Sequence, residues 1–110
     1  MKISLLCITF SLISLCAFAH PPTNIDISAN EFTVQIVVAH DVKDTKTHYI
    51  KTIELSLNGK KIITQSFSTQ FDKDIQKAAY FLPALKAGDQ ITVDADCNIY
   101  GDLSKTYTVQ

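Results

Sequence analysis

The chain has 110 residues, with ten lysines and no arginine against eleven acidic residues, three histidines and three cysteines, and a formal charge of −1. That length suits one small domain with one core. The near-balance of charge excludes the concentrated basic face that nucleic acid or an anionic membrane demands of a partner.

Met1-Lys2, the apolar run Ile3 to Phe18 and the ending Ala17-Phe18-Ala19 have the layout of a secretory signal peptide over residues 1–19. Cleavage after Ala19 makes His20 the first mature residue. A membrane anchor fits less well, because the apolar run is short for a bilayer span and stops at His20-Pro21-Pro22. A lipid anchor on Cys16 would need a small residue before it, and Leu15 stands there. Residues 20–110 are therefore expected to be a soluble, secreted domain, periplasmic in a bacterium. Losing Lys2 leaves nine lysines against eleven acidic residues, a formal −2. Losing Cys7 and Cys16 leaves Cys97 alone in an oxidising compartment. Such a cysteine is buried and inert, paired with another chain, or a metal thiolate.

From His20 the pattern is one of strands and turns. Ile25 and Ile27 alternate with polar neighbours, and a turn is expected at Ala29-Asn30. In Glu31 to Ala39, Phe32, Val34, Ile36 and Val38 share one face at a period of two, as in a half-buried strand. Tyr49 to Leu57 repeats the alternation with Ile53, Leu55 and Leu57 inward. Asn58-Gly59 is a tight-hairpin pair, and Lys60 to Phe67 the returning strand. Ser68 to Lys77 is polar, either a wandering connection or one helical turn. Ala78 to Leu82 reads as a strand ended by Pro83, and Lys86-Ala87-Gly88-Asp89 as a turn. Gln90 to Cys97 alternates with Ile91, Val93, Ala95 and Cys97 on one face, and Thr106 to Val109 closes the chain. About seven short strands at this spacing predict an all-β, immunoglobulin-like sandwich in a single domain.

The soft metal ligands fall at strand ends: His40 just after one strand, His48 just before the next, Cys97 at the end of a third. Imidazole with thiolate suits iron, copper or zinc, and affinity alone favours copper. Each residue also has a plainer reading: solvated loop histidines, a frayed His20, a Cys97 that is only a small hydrophobe. Hydrolytic chemistry has no support, with no G-x-S-x-G and no recognisable carboxylate pair.

The run His48-Tyr49-Ile50-Lys51-Thr52-Ile53-Glu54-Leu55, the histidine one loop earlier, Cys97-Asn98-Ile99 and the opening His20-Pro21-Pro22 together resemble the iron-binding domain of superoxide reductases, the desulfoferrodoxin and neelaredoxin type. The resemblance spans the mature chain from His20 to about Gly101. It implies a mononuclear non-haem iron with His20, His40 and His48 as equatorial ligands and Cys97 as axial thiolate. It also implies superoxide reduction at the open position opposite sulfur, with an external electron donor, since the chain has no second redox centre. Three departures stand out. Tyr100 replaces the family's last histidine after Cys97-Asn98-Ile99, and either ligates as phenolate or packs over the site. Phe18-Ala19 replaces the Glu-Lys pair that binds the open iron position and steers the anion in the family. The loop between His40 and His48 is long for the family. If cleavage follows Ala19, the α-amine of His20 restores a fourth nitrogen by chelating together with its own imidazole. The alternatives are a non-catalytic copper or other metal carrier or sensor dominated by His20, and a metal-free interaction module.

Overall fold

The computed structural model describes residues 19–110. The expected signal peptide lies, but for Ala19, outside the described residues. Among the described residues there is no helix, so none is long and apolar enough to cross a membrane.

Seven antiparallel strands form two sheets. One holds β1 (Asn24–Asn30), β2 (Thr33–Ala39) and β5 (Ile75–Phe81) in the order β1-β2-β5. The other holds β3 (Ile50–Leu57), β4 (Lys60–Ser66), β6 (Gln90–Cys97) and β7 (Asp102–Thr108) in the order β4-β3-β6-β7. This three-on-four arrangement is the immunoglobulin-like sandwich the sequence predicts. Its core forms where the inward faces meet: Ile25, Ile27, Val34, Ile36 and Val38 from one sheet, Ile53, Leu55, Ile91, Val93 and Ala95 from the other. Burying each Ile, Leu or Val side chain contributes roughly 1.5–3 kcal/mol, which makes this layer the main favourable term. Leu82 and Leu85 close one end of the sandwich, where Leu82 N–H bonds Phe32 O at 2.7 Å. Ile50 and His40, both 0 % exposed, close the other.

Local chemistry sets the turns. Asn58 (φ 50°) and Gly59 (φ 85°) make the β3–β4 hairpin as expected, both in the left-handed region that this pair tolerates. The β1–β2 turn differs from expectation. Asn30 pairs with Thr33, Glu31 takes φ 55°, and the turn is Glu31-Phe32, two residues later than Ala29-Asn30. Phe32 is therefore a turn residue, 55 % exposed, and not a member of the inward face of β2. The polar segment after β4 is a loop, and β5 starts at Ile75, three residues before the expected Ala78. β7 begins at Asp102, where Asp102, Ser104 and Lys105 carry no apolar alternation to announce an exposed edge strand.

Candidate metal centre

Three histidines meet at the end of the sandwich where β2 stops and β3 starts. His40 continues the inward phase of β2, in step with Val34, Ile36 and Val38. Its N–H bonds Asp74 O at 2.9 Å, carrying the β2–β5 pairing one residue past Ala39.

A loop turning on Asp44 brings the chain to His48. Asp44 Oδ1 accepts the Lys46 N–H at 2.9 Å, and its main-chain carbonyl accepts the N–H groups of Thr47 (3.3 Å) and His48 (3.0 Å). Asn98 holds both neighbours of His48: Oδ1 accepts the Tyr49 N–H (2.9 Å), Nδ2 donates to Thr47 O (3.1 Å), and its own N–H donates to Tyr49 O (3.0 Å). The β3–β6 register slips between Ile50 and Thr52. A bulge at Lys51 thus reverses side-chain phase, so Ile50 turns inward beside Ile53 and pairs across to Cys97.

His20 arrives on the arm before β1, which Thr23 N–H zips to Ala39 O at 2.9 Å. Its ring sits between two carbonyls, Nε2 2.6 Å from Asp41 O and Nδ1 2.9 Å from Pro21 O.

One nitrogen from each of His20, His40 and His48 lies within 4.8 Å of the other two. The ring centroids are 4.7–5.4 Å apart, with His40 and His48 nearly perpendicular at 89°. His40 Nδ1 lies 2.7 Å from Gln70 Oε1 and its Nε2 3.0 Å from His20 O. His48 Nε2 is buried with no hydrogen-bond partner. Burial first, then the neighbouring His40 and His20 rings, pushes the His48 pKa below that of an ordinary imidazole, while the main-chain carbonyl of His20 acts weakly the other way. A buried, partnerless imidazole nitrogen facing two more imidazoles is a donor set that fits a transition metal.

Of the five residues singled out in the sequence, these three converge. Cys97 is at the same end, 3 % exposed and without a disulfide partner, but outside the trio; its Sγ accepts the Ile99 N–H at 3.4 Å. Tyr100 is 57 % exposed. Among the described residues, Ile99 and not Tyr100 lines the cleft that opens beside His20 and His48, with Ala19, Asp41, Val42 and Lys43; His40 lies behind it. That cleft, of ≈ 620 Å³, brings a small solute up to His20 and His48. Sequence reasoning passed over Gln70, 3 % exposed, which lies in the polar segment with no periodicity to single it out. It also named Asn98 only as part of a pattern, not as the clamp on His48.

Neither a family model nor a curated protein sequence matches the chain. Solved structures do. The superoxide reductase (1Fe-SOR) from Giardia intestinalis is similar with TM-score 0.61 and 21 % identity, over 83 % of this chain and 98 % of that one. A single-substitution variant of the superoxide reductase (neelaredoxin) from Ignicoccus hospitalis is similar with TM-score 0.57 and 17 % identity, over 87 % of this chain and 85 % of that one. At these identities the likeness is one of fold. The chain is a superoxide-reductase-like β-sandwich with a three-histidine centre at one end.

Proposed function

We propose that this protein is a secreted, periplasmic domain that binds one non-haem iron through His20, His40 and His48, with Cys97 as a thiolate ligand, and that it reduces superoxide. The observation that carries the reading is the trio, three imidazole nitrogens within 4.8 Å of one another, one of them the buried and partnerless Nε2 of His48. The fold around them supports iron as the metal. Iron held there supplies the one-electron couple that turning superoxide into peroxide requires.

The chain's own residues do the rest. The lowered pKa of His48 favours the neutral form that a ligand needs. The cleft, with Lys43 on its wall, admits a small anion beside His20 and His48. Each turnover consumes one electron and two protons, so an external electron donor is the required partner. The α-amine of His20, exposed by cleavage after Ala19, would stand in for the family's fourth histidine, since Tyr100 is exposed and off the cleft.

The position of Cys97 outside the trio favours a second reading, an all-nitrogen site that carries or senses copper without turnover. The visible spectrum separates the two. Residues 20–110, loaded anaerobically with Fe(II) and oxidised, should show a thiolate-to-ferric band that Cys97→Ser abolishes, and should consume superoxide. A tight tetragonal Cu(II) signal, with no such band and no superoxide consumption, would favour the carrier.

A further inference from the structure

Gln70 touches both arms of the centre at once. Its Nε2 donates to His40 O at 2.7 Å and to Asp72 O at 2.9 Å. Its Oε1 accepts the Ile50 N–H at 3.3 Å and faces His40 Nδ1 at 2.7 Å. Its own main-chain N–H bonds Thr45 O at 3.0 Å, inside the loop that joins His40 to His48.

These contacts fix the orientation of the amide. Turned over, it would set its oxygen against two carbonyl oxygens and its NH₂ against an N–H, giving up three hydrogen bonds. Oε1 is therefore an acceptor, and His40 Nδ1 has to bring the proton. A neutral imidazole has only one N–H, so Nε2 carries the lone pair. In that neutral form the nitrogen that lies 3.0 Å from His20 O meets the carbonyl as a second acceptor. A cation bound by Nε2 relieves that opposition.

We propose that Gln70 is a positioning residue, which selects Nε2 of His40 as the metal-binding nitrogen and fixes the span between the His40 and His48 arms. The proposal rests on the metal reading above. An imidazole in water populates mainly the Nε2–H form, so an Nδ1–H form at His40 needs a cause, and Gln70 is the acceptor at Nδ1. An acceptor behind a metal-binding histidine fixes its tautomer and raises its basicity, and losing one typically costs 10–100-fold in metal affinity.

The test is a long-range ¹H–¹⁵N correlation spectrum of the metal-free protein at a pH where imidazoles are neutral, paired with Fe(II) titration, for wild type and Gln70→Met. Wild-type His40 should appear as the Nδ1–H tautomer. In Gln70→Met that preference should be lost and Fe(II) affinity should fall about 10-fold or more, with the His48 signals retained. A wild-type His40 in the Nε2–H form overturns the proposal by itself, whether or not the variant folds. So does a folded Gln70→Met with unchanged tautomer and affinity. Failure of the metal reading looks different: wild type retains no iron yet shows His40 as Nδ1–H, which overturns the metal half of the proposal and upholds the tautomer half.

Discussion

Gly101 lies so close to Pro21 that a Cβ at position 101 would sit 2.7 Å from the Cβ of Pro21 and 3.3 Å from its Cγ. The arm that carries His20 thus rests on the turn between β6 and β7, four residues after Cys97. Gly101 also takes φ 83°, where an L side chain is strained, and its carbonyl accepts the Cys97 N–H at 2.9 Å. Gly101→Ala should destabilise the fold by about 1–2 kcal/mol and lift the arm, weakening metal binding. Gly88→Ala is the control, with φ 90° but nothing within 4 Å of its Cβ. It should cost stability alone. Thermal unfolding and metal titration of both variants separate the close approach from the backbone strain.

Asn98→Ala removes the side chain that holds Thr47 and Tyr49 either side of His48. It leaves the Tyr49 N–H and the Thr47 carbonyl without that partner. A loss of about 1–2 kcal/mol in unfolding free energy is expected. Metal affinity should fall as well, since the His48 ring loses its anchor. Asn98→Asp keeps the acceptor for Tyr49 and loses only the donor to Thr47, so it should fall between wild type and Asn98→Ala in the same titration.

The metal-free protein should lose stability as pH drops through the histidine range. His48 has a folded pKa below its unfolded value of about 6.5, so the unfolded chain takes up its proton first. Its contribution is complete above that unfolded value, declines as the pH falls below it, and is gone once the pH passes the lowered folded value. The slope from this one group is at most about 1.4 kcal/mol per pH unit. Denaturant unfolding at a series of pH values should show a shallower dependence in His48→Gln than in wild type; equal slopes would contradict the assignment.

On the outer face of the four-stranded sheet the sign is opposite. Burial, then a hydrogen bond and charge repulsion from Asp102, raise the Asp94 pKa; Ser104 opposes this and Glu54 adds to it. Asp94 Oδ1 is buried without a partner. A raised folded pKa stabilises the protein at low pH, and that contribution is lost as pH rises through the folded value. Asp94→Asn should therefore raise the melting temperature at neutral pH and leave it unchanged in acid. Solvent screening keeps the gain small.

Much of the fold was legible because the core-facing residues keep strict alternation. Val34, Ile36 and Val38 are inward as the period of two requires, and the same period carries His40 to the buried face. The sequence put His40, His48 and Cys97 at strand ends and named His20 only through the family resemblance; the convergence of His20 with His40 and His48, and the place of Cys97 outside the trio, are properties of the folded chain. What could not be read depends on pairing between distant segments. The Lys51 bulge that turns Ile50 inward is a property of the β3–β6 register. The exposure of Phe32 follows from a turn placed two residues later than composition suggested. Gln70 acts through main-chain groups at His40, Ile50 and Asp72, and no local pattern marks such a role.

The most direct test of the metal centre is anaerobic Fe(II) titration of residues 20–110, wild type beside His48→Ala, with retained iron counted after desalting. His48 Nε2 is buried and has no partner in the protein, so its removal should cost the metal and little else. The expected result is one tightly held iron per wild-type chain and none in a folded His48→Ala. Iron that washes off wild type, or that stays equally bound to the variant, would contradict a three-histidine iron centre.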